Sequence, residues 1–90
     1  MDDQARVTWE KITEDQFQKI LQDIPDLIRG IAETRVAKKA ENLVRQDKRL
    51  VITQKDMIDA FFAETPPGFV GAMKSSMEEL GIDYTRFGYK

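Results

Sequence analysis

Ninety residues make one domain by size, and 41% apolar with 33% charged side chains is a globular rather than a disordered balance. The chain has no cysteine and no histidine, which excludes disulfides, the usual zinc, haem and iron–sulfur ligand sets, and Ser-His-Asp or Cys-His catalysis. A net charge of −2 gives no overall attraction to nucleic acid or anionic lipid.

The polar start, Met1-Asp2-Asp3-Gln4, lacks the basic and apolar regions of a signal peptide. No apolar run approaches the ~20 residues that span a bilayer. A cytoplasmic location is therefore expected, with no membrane partner. Residues 1–11 read as a lead-in, with Val7 and Trp9 as anchors.

Thr13 is placed as the N-cap of a first helix, with Gln16 completing a capping box and Ile12 and Phe17 forming a hydrophobic staple. Phe17, Ile20, Leu21 and Ile24 follow the helical i, i+3, i+4, i+7 spacing. Pro25 ends this helix near Gln22 or Asp23 and suits the first turn of the next. A long second helix then carries a stripe from Leu27 and Ile28 through Ile31 and Val36 to Val44, ending near Asp47. Gly30 within it costs ~1 kcal/mol relative to Ala, and a close helix crossing is the expected reason.

Leu50-Val51-Ile52 reads as a short extended run, and Thr53 with Asp56 caps a third helix. Met57, Ile58, Ala60, Phe61 and Phe62 cover much of its circumference, so it is expected to be well buried. Thr65-Pro66-Pro67-Gly68 stops it. A fourth helix is expected over about Phe69–Leu80, with Gly81 and Ile82 closing it as in a Schellman motif. The expected fold is all-α: a small orthogonal bundle of three core helices plus a fourth C-terminal helix, in a single unit over 1–90.

No catalytic, metal-binding or cofactor-binding residue stands out. Glu78, Glu79 and Asp83, and likewise Glu10, Glu14 and Asp15, form acidic clusters that read as ordinary surface acids. Met57, Met73 and Met77 read as core filling. Residues 24–49 hold seven Lys or Arg against four acids, which leaves about −5 on the rest of the chain. A solvated helix face, supported by pairs such as Glu41–Arg45, is the plain explanation. A phosphate-reading helix is the alternative, although it lacks interleaved aromatics. Tyr84, Phe87 and Tyr89 in the tail either pack back on the helices or anchor a partner.

Trp9, Ile24-Pro25, Arg29 four residues after that proline, Ala40-Glu41, Ile52-Thr53 and Ala60-Phe61 occur in an order that resembles a known domain. It is the small helical C-terminal domain of light-independent protochlorophyllide reductase. The resemblance covers about residues 9–63, and leaves the helix and aromatic tail of 66–90 outside it. It implies a compact helical module. In the parent enzyme that module ends a nitrogenase-like subunit and helps enclose the tetrapyrrole. This chain has no Cys for a cluster and no His for a pigment, so it is not expected to be an enzyme by itself or to carry a cofactor. A non-catalytic accessory or protein-interaction module is expected, with a protein partner such as one component of a reductase complex. Partner-binding residues would be Arg29, Arg35 and Lys39 of the second helix and Tyr84, Phe87 and Tyr89 of the tail. The alternative is a small nucleic-acid-binding module using the same basic helix.

Lys48-Arg49-Leu50-Val51-Ile52-Thr53, with Asp56 and Ala60, is also similar to the loop and last helix of archaeal histones. Ile24-Pro25 lies too close to that loop for the two helices a histone places before it.

Overall fold

The computed structural model describes residues 6–90. Its elements in order are strand β1 (Thr8–Trp9), helices α1 (Lys11–Gln22) and α2 (Asp26–Gln46), strand β2 (Val51–Ile52) and helix α3 (Gln54–Glu64). A 3-10 turn (Pro67–Phe69), helix α4 (Val70–Glu79) and a second 3-10 turn (Tyr84–Phe87) follow. The architecture is helical, as expected, with three core helices and a fourth behind them.

Each helix begins and ends where local chemistry allows. Helix α1 starts three residues earlier than the sequence suggested: Glu10 is its N-cap, and Thr13 is fully buried inside the first turn. The Thr13 hydroxyl donates to the Glu10 carboxylate at 2.9 Å, so burial does not orphan it. Pro25 sits at the N-cap of α2 rather than within its first turn. Helix α3 follows its expected cap. The Asp56 carboxylate accepts from both the backbone N–H and the hydroxyl of Thr53, each at 2.9 Å. Helix α4 closes as a Schellman motif: the Ile82 N–H bonds Met77 O at 2.9 Å, and Gly81 takes φ +74°.

Helix α2 ends in the same motif, but with a lysine at the left-handed position. The Lys48 N–H reaches Arg45 O, the Arg49 N–H reaches Val44 O, and Lys48 adopts φ +58°. A Cβ in that region is disfavoured, and glycine is not. Lys48→Gly is therefore expected to stabilise the domain by ~0.5–1 kcal/mol. Thermal denaturation checks it: an increase of a few degrees in Tm is expected, and a decrease would show that the lysine side chain contributes more than its backbone costs.

The lead-in and the extended run form a two-stranded parallel pair, with Thr8 opposite Val51 and Trp9 opposite Ile52. Sequence reading missed this pairing because neither segment shows a strand-length pattern. It brings Trp9 onto Phe17, with ring centroids 4.6 Å apart and near-parallel planes. Around this corner the core assembles from Phe17, Ile20 and Leu21 of α1, Val36, Ala40 and Val44 of α2, and Met57, Ile58 and Phe61 of α3. Helix α4 adds Met73 and Met77, which fill the core as expected.

Two expectations for α2 fail. Its apolar stripe is not buried along its whole length: Leu27 is 93% exposed, and Ile31 is also exposed. Gly30 does not lie at a helix crossing, because nothing stands within 4 Å of where its Cβ would be. Both have one cause. Helix α3 is about half as long as α2 and covers the part around Val36–Val44. The N-terminal turns of α2 face shorter, sparser neighbours.

A candidate docking groove

Where α3 ends, the fold leaves an apolar groove of about 320 Å³. Its floor is formed by the buried side chains of Ile20, Val36, Phe61 and Met73. One wall is Ile24, Ile28 and Ile31 from the α1–α2 turn and α2. The facing wall is Pro66, Phe69 and Ala72, carried by the 3-10 turn and the start of α4. The groove exists because Thr65-Pro66-Pro67 breaks the chain before α4. The proline-started 3-10 turn then returns Phe69 toward α2 while leaving it half-exposed.

Two polar features fix the end formed by the α1–α2 turn. The Asp23 carboxylate accepts from the Ser76 hydroxyl at 2.7 Å, which ties the end of α1 to α4. Arg29 turns inward. Its guanidinium donates to the carbonyls of Leu21 (2.8 Å), Gln22 (3.2 Å) and Ile24 (2.9 Å), and pairs with Asp26 at 2.8 Å. These carbonyls lie at the end of α1 and in the turn after it, and Leu21 O also accepts the Ile24 N–H at 3.0 Å. Arg29, expected as a partner contact, thus works within its own chain as a cap.

At the other end the groove opens into a polar depression lined by Thr34, Arg35, Lys38, Lys39, Asn42 and Glu64. Arg35 and Glu64 line both cavities and mark where one becomes the other. None of the three cations has an ion-pair partner among the described residues. Arg35 and Lys39 therefore lie on one surface, as their spacing on α2 requires.

The aromatic tail lies elsewhere. Tyr84 is buried against Phe62 and donates to the Glu78 carboxylate at 2.6 Å. Tyr89 stacks on Phe62, with centroids 4.0 Å apart, and donates to Asp59 at 2.6 Å. Burial and the Asp59 carboxylate together push the Tyr89 hydroxyl up to about 12. Phe87 packs half-buried against the core. The tail takes the first of its two sequence readings: it packs back on the helices.

The residues that sequence reading missed are the walls themselves. Ile28, Ile31 and Phe69 read as ordinary buried faces, although the excess of apolar stripe on the longest helix was a visible sign. Among the described residues, no group of three acidic side chains is placed to hold a metal ion. No helix among them is long and apolar enough to cross a membrane.

Neither a curated protein nor a solved structure matches the chain. A family model matches residues 2–89, so α4 and the aromatic tail are within the shared sequence. The chain belongs to the family described as protein of unknown function (DUF2621).

Proposed function

We propose that this domain is a non-catalytic accessory module of the cytoplasm that binds a partner protein through the groove between α2 and α4. The observation that carries the reading is exposed apolar surface around a concave apolar site. Ile31 and Phe69, which line the groove, are 58% and 48% exposed, and Leu27 on the same helix as Ile31 is 93% exposed. Scattered apolar side chains on a surface need no explanation, but a cluster around a groove is the usual mark of an interaction site. The groove has two helical walls and a helical floor, the shape that receives a further helix. The expected likeness to the C-terminal domain of light-independent protochlorophyllide reductase, a module that ends a larger subunit and helps enclose a tetrapyrrole, is in keeping with this proposal.

The test uses paired surface variants. Ile31→Asp and Ala72→Trp alter the groove at exposed positions, whereas Ile12→Asp changes an equally exposed apolar residue outside it. All three are expected to fold. In affinity capture from the native host, a true partner is retained by the parent protein and by Ile12→Asp. It is depleted at least ~10-fold with either groove variant, as loss of one anchor costs upward of ~1.4 kcal/mol. Equal recovery with all four proteins overturns the reading.

A nucleic-acid reading rests on Arg35, Lys38 and Lys39. Glu64 lies among these cations, and Glu33 and Glu41 are on the same helix, so their field is partly cancelled. Tight duplex binding at low salt that weakens steeply with added salt would favour it.

A further inference from the structure

We infer that the partner element is an acidic amphipathic helix, whose apolar face fills the groove and whose carboxylates meet Arg35, Lys38 and Lys39. The inference rests on the groove reading above and adds the chemistry of the occupant.

The α2 wall from Ile28 to Arg35 is ~10 Å long, about two helical turns. A helix laid along it presents anchors at i, i+3 or i+4 and i+7, and 320 Å³ holds only a few such side chains. A small amphiphile in the groove floor would leave the exposed parts of Ile31 and Phe69 in water. A helix covers them.

The groove's cations that lack an ion pair among the described residues lie at one end. At the α1–α2 end the acids are engaged by their own chain, Asp23 by Ser76 and Asp26 by Arg29. At the α3 end, Arg35, Lys38 and Lys39 face a single acid, Glu64, and have no ion pair among the described residues. A helix continuing past Arg35 must cross these cations. Carboxylates there gain attraction and steer the approach, whereas lysines are repelled. The groove supplies affinity and the basic turn selects sign and direction.

Three synthetic helices test this. Each carries leucines at i, i+3, i+4 and i+7 on an alanine scaffold, with Glu, Gln or Lys at the polar positions. They are titrated into the full chain at low and physiological salt, with amide chemical shifts locating the site. The Glu helix is expected to bind ~10-fold tighter than the Gln helix, the sum of three exposed pairs, and the Lys helix weakest. The preference should shrink with salt. The combined Arg35→Gln, Lys38→Gln, Lys39→Gln variant should erase the preference yet still bind the Gln helix. Ile31→Asp should abolish binding of all three.

Equal binding of the three helices, or a preference that survives the triple variant, overturns the acidic-helix inference and leaves the groove reading intact. No binding of any helix overturns both. Dodecanoate shifting the groove amides while no helix does points to a small amphiphile. A dimer in sedimentation equilibrium that Ile31→Asp dissociates points to a second copy. Either of these also overturns the inference.

Discussion

Phe61→Ala is expected to remove most of the domain's stability at room temperature. Phe61 is 1% exposed and lies where three elements meet: its ring packs tilted against Phe17 of α1, with centroids 5.7 Å apart, and forms part of the groove floor between α2 and α4. Truncation removes the ring's burial and leaves a cavity beside a site that is already open. Such changes cost ~3–5 kcal/mol. A domain of this size has a stability of the order of ~5 kcal/mol, so the loss approaches the whole. Trp9, the single tryptophan, stacks on Phe17 and reports on this corner by fluorescence during urea denaturation. A midpoint within ~1 M of the parent's would mean that the surroundings collapse into the space, and that the floor of the groove is softer than its packing suggests. Phe69→Ala offers the contrast. Phe69 is half-exposed, so its removal should cost little stability while taking away part of the groove wall.

The second large effect concerns Arg49 and Asp56. The Asp56 side chain is buried, with Arg49 in a two-pronged contact at 2.9 and 2.7 Å and two further bonds from Thr53. Burial pushes the carboxyl up. The Arg49 guanidinium and the Thr53 N–H and hydroxyl more than offset it, and hold Asp56 below the ordinary carboxylate range. The folded-state value is thus lower than the unfolded one. The ionised carboxylate contributes stability above about pH 4, and that contribution is lost as pH falls through the folded value.

Arg49→Met takes away the main counter-charge and leaves burial in place. At neutral pH the cost is expected to be ~2–3 kcal/mol, less than for a fully buried pair because the arginine is itself partly exposed. The difference from the parent should narrow as acid protonates Asp56, because the raised folded-state value leaves the variant less acid-dependent stability to lose. Urea denaturation at neutral and acidic pH checks both points. In an Asp56→Asn background, Arg49→Met should cost far less. An equal cost there would show that arginine packing, not charge, supplies the stability. The ion pair also joins the end of α2, through Arg49, to the start of α3. Its loss should therefore loosen the turn that sets α3 against α2.

The sequence by itself determined the helical class, the start of α3, both ends of α4 within a residue or so, and the absence of thiol and imidazole chemistry. These features depend on groups only a few residues apart. Thr53 reaches Asp56, Gly81 permits the left-handed residue that lets Ile82 bond Met77, and Pro66 halts α3. Each signal is complete within one turn of chain. Arg29 shows where that range ends: its charge suggested a partner, yet its guanidinium lies against carbonyls of the preceding helix. The strand pair, the tail packed on Phe62 and the groove were decided only by the tertiary structure. Apolar periodicity states which face of a helix avoids water, but not whether the rest of the chain is long enough to cover it. Helix α3 covers the turns of α2 from Val36 onward and stops at Thr65. The walls built by Ile28, Ile31 and Phe69 were left open by that difference in helix length, which no local pattern records.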